Sequence, residues 1–258
     1  MTAQVYFEIT DAKREVADLL PLDAPVEECE AVLQEIPIWF HTFALNTKTG
    51  LYTRGIARDH RYRIPFLPAD FRGVRVLDVG TRDGFYAFLA EARGAERVLA
   101  VDNEQYTHTV RERWGIEIAG GEAFRAVSKL IGSSVEYLRA DAIELAASAE
   151  RFDFVFCCGM LHRVENPLGM LRTLRTLLNP GGEILLETYG MSGQSDDASA
   201  VRVLAAGEAT TGDDMHYWGF SAPAVTRLAA WAGLTETGDT EQRTVDGHPR
   251  IIATLRAT

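Results

Sequence analysis

The chain has 258 residues, 47% hydrophobic and 24% charged, an ordinary globular composition that excludes a disordered or low-complexity chain. Its formal net charge of −11 disfavours nucleic acid as a partner, because an acidic surface repels a phosphate backbone. Cys29, Cys157 and Cys158 show no C-x-x-C spacing and fit a reduced, cytoplasmic setting; residues 1–18 carry early acids in place of a signal-peptide core, and no apolar run approaches the roughly 18 residues of a membrane helix.

In chain order, apolar spacing predicts helices over 11–20 and 25–36. An aromatic and polar stretch follows, Trp39-Phe40-His41-Thr42-Phe43, then Gly50, Gly55, a basic run over 58–63, and Pro65 and Pro68 at its exit. These features set 1–70 apart as an N-terminal helical or lid segment and leave 71–258 as the main domain. From Gly73 onward, apolar runs predict strands over 74–79, 97–101, 135–139, 152–157 and 183–188, alternating with helices over 85–93, 105–114, 142–149 and 168–178. Such alternation implies a parallel sheet with helices on both faces. A run rich in Ser, Gly and Asp over 190–198 reads as a surface loop or as a lid over substrate. A helix over 222–232 and strands over 236–243 and 250–255 close the chain, with Asp246-Gly247 at the turn of an antiparallel hairpin.

The sharpest chemical signal is Val76-Leu77-Asp78-Val79-Gly80-Thr81-Arg82-Asp83-Gly84, which ends the first main-domain strand and opens a helix. Gly80 permits a tight turn and close approach of a ligand to the backbone. The loop lies at the carboxyl end of its strand, where open α/β sheets bind ligands; on its own it is equally an ordinary strand-to-helix turn. Asp102 closes the next strand in Leu99-Ala100-Val101-Asp102-Asn103. An acid about twenty residues past the loop is placed to accept hydrogen bonds from a ribose diol, or else to cap the next helix. A nucleotide-type ligand accounts for strand, loop and acid together.

These residues resemble the class I S-adenosylmethionine (SAM)-dependent methyltransferase family. Asp78-x-Gly80 matches its first motif, Asp102 its ribose-binding acid, and Arg139-Ala140-Asp141-Ala142 the position that holds adenine. Phe152-Asp153-Phe154-Val155-Phe156 matches its fourth strand, and Asn179-Pro180-Gly181-Gly182-Glu183-Ile184-Leu185 the turn into its fifth. The middle glycine of the family's G-x-G-x-G is Arg82 here. A dehydrogenase loop needs that glycine for a pyrophosphate, which SAM lacks, so Arg82 argues for SAM over NAD. A closer resemblance, over about 35–257, is to the family of the bacterial tRNA wobble-uridine carboxymethyltransferases, carried by W-x-x-x-F-x-L, L-P-x-x-x-x-G-x-x-V-L-D-V-G, G-A-x-x-V-x-A-V-D, C-G-M-L-H-R-V-E-N-P and L-L-E-T. That family takes carboxy-SAM and holds its extra carboxylate partly with a lysine in a W-x-K-G-P segment and a tyrosine just after G-x-L. Here the first region reads Trp39 to Phe43 without lysine and the second position is His162, departures that favour an ordinary methyl donor.

The resemblance implies an α/β fold: a Rossmann-like, mostly parallel seven-stranded sheet with an antiparallel last strand, plus the helical N-terminal segment. It implies a SAM site formed by Asp78, Gly80, Thr81, Gly84, Asp102, Asn103, Asp141, Ala142 and Cys158. The acceptor is expected among Trp39, His41, Tyr189 and Tyr217, with His162 and His216 as general bases that could deprotonate a phenol or enol. Each of those histidines also reads as a packing residue. Cys157 and Cys158 follow an apolar strand and read as small buried side chains, and the six histidines lack metal-ligand spacing. The expected function is methylation of a small molecule in a biosynthetic setting, with SAM as cofactor, no metal, no membrane and a homodimer as one assembly. The alternatives are a wobble-uridine-type RNA enzyme and a non-catalytic SAM-binding protein.

Overall fold

The computed structural model describes residues 7–147, 149–193, 198–209, 213–238 and 240–258, so the lid expected over 190–198 falls partly outside the described residues. Among those described, no helix is long and apolar enough to cross a membrane.

The chain opens with α1 (Asp11–Ala17), capped by Thr10 Oγ1 accepting from Lys13 N at 3.3 Å, and α2 (Val26–Glu35). A small hairpin follows, β1 (Ala44–Asn46) and β2 (Leu51–Tyr52), and then a 3-10 turn over Arg61–Phe66. The main unit runs β3 (Arg75–Val79), α3 (Phe85–Ala92), β4 (Arg97–Asp102), α4 (Tyr106–Trp114), α5 (Glu122–Ile131), β5 (Glu136–Arg139), β6 (Phe152–Cys158), α6 (Pro167–Leu177) and β7 (Leu178–Tyr189). After these come β8 (Val201–Val203), β9 (Trp218–Phe220), α7 (Ala222–Trp231), β10 (Leu234–Glu236), β11 (Glu241–Val245) and β12 (His248–Ala257).

The main sheet has the order β10-β12-β7-β6-β3-β4-β5; β3 to β7 are parallel and β12 runs antiparallel to β7. The single strand expected over 236–243 is in fact two, β10 and β11, both paired to the same edge of β12. The break includes Thr237 and Gly238, so among the described residues eight strands occupy seven sheet positions. The hairpin turn is where the sequence put it: Asp246 and Gly247 both have positive φ, 49° and 78°, as a two-residue hairpin of this twist requires. The helix expected over 142–149 is a 3-10 segment, Ala142–Ala147.

Period-2 alternation divides the core. Val76, Ala100, Phe154, Phe156 and Leu185 face α3, α5 and the N-terminal segment, while Leu77, Leu99, Val155, Cys157 and Ile184 face α6 and α7. Val16, Leu20, Trp39 and Phe43 belong to the first of these clusters, so residues before 70 share a core with the sheet. From β3 the chain winds outward to β4 and β5, then crosses back to β6 and β7. The order reverses between β3 and β6, and a crevice opens at their carboxyl ends.

Candidate functional site

One cavity of about 600 Å³ occupies that crevice. Its wall on one side comes from the ends of β3, β4 and β5: Asp78, Gly80, Thr81, Asp102, Asn103, Asp141 and Ala142. The other side is built by the ends of β6 and β7 and the loops beyond them, through Cys158, His162, Tyr189, His216 and Tyr217, and by the N-terminal segment through Phe40, His41 and His60. Every expected site residue lines this cavity except two. Trp39 is buried in the core against Phe43, with ring centroids 6.1 Å apart. Gly84 starts α3 at φ 88°, and a Cβ there would strike Phe88 and Phe124, so this glycine serves helix packing.

The loop after β3 is shaped by its neighbours. Gly80 N and Thr81 N both donate to Val101 O, at 2.8 and 3.2 Å, folding the loop over the end of β4. Gly80 has φ 73°, and a Cβ would collide with Met160. Thr81 Oγ1 donates to Asp78 Oδ2 at 2.7 Å. Burial pushes the Asp78 carboxyl up to about 7, further than the Thr81 bond lowers it. Among the described residues no cation is paired with Asp78. Asp102 accepts from Glu104 N at 2.6 Å and from Arg82 N at 2.9 Å, so it secures both loops. With one bond on each oxygen, it keeps lone pairs for a ligand. Asn103 Nδ2 donates to Asp141 Oδ2 at 3.3 Å, and Ile143 N to Asp141 Oδ1 at 3.0 Å. Buried acids short of cations, beside a glycine turn open to a ligand, fit a cationic nucleoside such as SAM.

Arg82 has φ 57°, an uncommon conformation for a side-chain-bearing residue. Its guanidinium lies between two rings, 4.4 Å from the centroid of Phe40 and 4.1 Å from that of Tyr106. Next to it, Asp83 Oδ2 accepts from Phe40 N at 2.9 Å and His41 N at 2.7 Å, and Asp83 Oδ1 contacts His41 Nδ1. Burial alone would raise the Asp83 carboxyl, but the His41 ring and these N–H donors hold it below the usual range.

At the opposite end, His162 and His216 stack with centroids 4.7 Å apart. Tyr189 N donates to His162 Nδ1 at 3.1 Å. A backbone amide only donates, so the neutral His162 ring carries its proton on Nε2 and has no free lone pair. Burial drives its pKa well below 6.5, with His216 adding to the effect. Arg163 Nη2 approaches His216 Nε2 at 3.3 Å, and His216 Nδ1 faces Asp213 Oδ2 at 3.4 Å. Arg163 Nη2 also holds Asp213 Oδ2 at 2.8 Å. Arg163 only donates, so Nε2 of the neutral His216 ring accepts and Nδ1 carries the proton, near Asp213 but without a hydrogen-bond partner. With His162 Nδ1 taken by Tyr189 N and His216 Nε2 by Arg163, neither neutral ring has a lone pair left over in this geometry. Cys158, whose thiol burial pushes up to about 12, stays a neutral thiol.

A further group went unread in the sequence. Glu187, fully buried, takes Arg63 Nη2 at 2.6 Å and Arg250 Nε at 2.5 Å, and both arginines line the cavity. Burial would raise Glu187, but the two arginines outweigh it and keep it ionised. The signal was present: an acid inside the apolar strand Leu185-Leu186-Glu187-Thr188 demands a buried partner.

A family model described as a methyltransferase domain matches residues 52–237. The chain is 29% identical over 132 residues to a tRNA U34 carboxymethyltransferase of Campylobacter hominis, covering 51% of this chain and 41% of that one. It is 28% identical over 254 residues to the protein of the same name from Chromohalobacter salexigens, covering 93% and 67%. Among solved structures, the N-terminal domain of EvdMO1 in the presence of S-adenosylhomocysteine (SAH) and D-fucose matches with TM-score 0.64 at 19% identity, covering 90% and 97%. The Burkholderia thailandensis 1,6-didemethyltoxoflavin-N1-methyltransferase, bound to 1,6-didemethyltoxoflavin and SAH, matches with TM-score 0.54 at 21% identity, covering 72% of each chain. Both structures share this fold.

Proposed function

The chain belongs to the methyltransferase-domain family, and on that premise we propose that it transfers a methyl group from SAM to a small-molecule acceptor. One observation carries the reading: the strand-end acids Asp78, Asp102 and Asp141 and the histidine- and tyrosine-lined wall share a single cavity. When bound, SAM supplies a methyl group made electrophilic by its sulfonium. Asp102 is suited to the ribose hydroxyls, Asn103, Asp141 and Ala142 to the adenine side, and Asp78 to facing the donor's positive charge. His162, through its Nε2 proton, and Tyr189 orient the acceptor, which the cavity wall shields from water. Calorimetry with SAM and with NAD tests the reading. SAM heat without NAD heat is expected, and tight NAD binding with no SAM heat would overturn it.

A second reading has one observation in its favour. Arg63 and Arg250 share the single carboxylate of Glu187, which leaves one net positive charge in the cavity wall. That charge suits an anionic group on the donor, and the two curated relatives are named carboxymethyltransferases. Mass spectrometry of the ligand that copurifies separates the two: SAM or SAH supports methyl transfer, and a carboxylated form supports carboxymethyl transfer.

A further inference from the structure

Among the described histidines that line the cavity, His41 alone has one ring nitrogen hydrogen-bonded to a carboxylate and the other buried without a partner. His162 gives its lone pair to Tyr189 N, and His216 is held between Arg163 and Asp213. His41 differs. Its Nδ1 meets Asp83 Oδ1, while Asp83 is itself fixed by two backbone N–H groups from Phe40 and His41. The carboxylate can only accept, so in the neutral ring it keeps the proton on Nδ1 and leaves Nε2 with the lone pair. The His41 side chain is more than nine-tenths buried, its residue lines the cavity, and Nε2 has no hydrogen-bond partner. A buried polar atom without a partner is uncommon in a folded chain and marks a place where a ligand completes the set. The titratable groups beside the ring are Asp83, His60 at 5.6 Å and Tyr86 at 5.5 Å between centroids, with Arg82 next to Asp83 along the loop, and Phe85 stacks on it at 5.4 Å. A carboxylate fixing one nitrogen of an imidazole while the other has no partner is the arrangement of a general base.

From this geometry we infer that His41, oriented by Asp83, is the catalytic base of the cavity, and that the acceptor is a weak acid bearing O–H or N–H, such as a phenol. The inference rests on the methyl-transfer reading. The acceptor's proton passes to His41 Nε2, and the freed electron pair forms the new bond to the methyl carbon. The methyl–sulfur bond of the sulfonium donor breaks with its pair remaining on sulfur, and His41 returns the proton to water after product leaves. Asp83 is a positioning residue that fixes the tautomer.

Alkylation with methyl 4-nitrobenzenesulfonate, a small aromatic alkylating agent that reacts with a histidine only through an unprotonated ring nitrogen that it reaches, tests the assignment without a known acceptor. Peptide mass mapping of the intact protein is expected to place the added methyl on His41, and on neither His162 nor His216. Asp83→Asn presents an N–H to Nδ1, reverses the tautomer and is expected to slow the modification about 100-fold, since the analogous change in a hydrolase triad costs even more. His41→Gln abolishes the modification. A methyl found on His60, His162 or His216 with His41 untouched, or no methylated histidine at all, overturns the proposal. Should Asp83→Asn fail to fold by circular dichroism, the wild-type map decides alone. The result is independent of calorimetry with SAM, so loss of the methyl-transfer reading and loss of this base remain distinguishable.

Discussion

Asp78 makes donor binding a titration. Its carboxyl is raised from 3.8 to about 7 by burial, so in the empty protein it is largely neutral below pH 7 and largely charged above. A donor with net positive charge favours the charged form. Affinity is therefore expected to climb as pH rises through about 7, by about tenfold per unit below the midpoint, and to level off above it. For stability the sign is the reverse. A carboxyl whose pKa is raised by folding contributes stability that is fully present below 3.8 and is lost as pH rises to about 7. Calorimetric Kd values between pH 5.5 and 8.5 check the first statement, and a flat profile would refute it. Asp102 was legible in the sequence because an acid that closes an apolar strand lies at the sheet's carboxyl edge, and Asp78 because it sits one residue before a glycine turn; Asp141 was reached only through the family resemblance. The pairing of His41 with Asp83 was not legible, because that contact joins positions 42 apart and depends on the path between them. Nor could spacing show that Tyr189 N occupies His162. Trp39 misled because a large aromatic ring fits a pocket wall and a core equally well.

Among elements, the parallel strands β3, β4 and β6 were the easiest to read, since strands buried on both faces carry near-continuous apolar runs. Helix α5 escaped although its signal is clear: Phe124, Val127 and Ile131 recur at helical spacing between Gly121 and Gly132. Strands β8 and β9 are three residues each, and β8 is exposed throughout, so neither shows a readable alternation. The β11–β12 hairpin was visible from two residues, and it supplies a prediction. Gly247 sits at φ 78°, where a β-branched side chain clashes with its own backbone. Gly247→Val is expected to destabilise the protein by at least about 1 kcal/mol. The check is urea unfolding, which should show a lower midpoint with an unchanged m-value. An unshifted midpoint would mean that the turn is not closed in solution.

At the scale of the whole molecule, the N-terminal segment is fastened to the loop that would hold the donor. Arg82 lies between Phe40 and Tyr106, and Asp83 holds Phe40 and His41 through three contacts. Hydrogen bonds to a charged group contribute about 1.5–3 kcal/mol each. The same loop gives its Arg82 N–H to Asp102, the acid suited to the ribose. A ligand on Asp102 therefore steadies Arg82 and Asp83, and through them residues 40 and 41. By reciprocity, whatever lifts that segment loosens the donor. Deuterium uptake makes this coupling visible. With SAM at 100 times its Kd, exchange of the Phe40 and His41 amides is expected to slow about 100-fold if their opening requires donor release, while amides of α7 are less affected. Equal slowing in both places would reduce the effect to global stabilisation. Local protection would make the start of the chain a gauge of cofactor supply: when donor is scarce, a protease meets a loosened N-terminal segment, and the lifetime of the protein tracks the methyl-donor level of its surroundings.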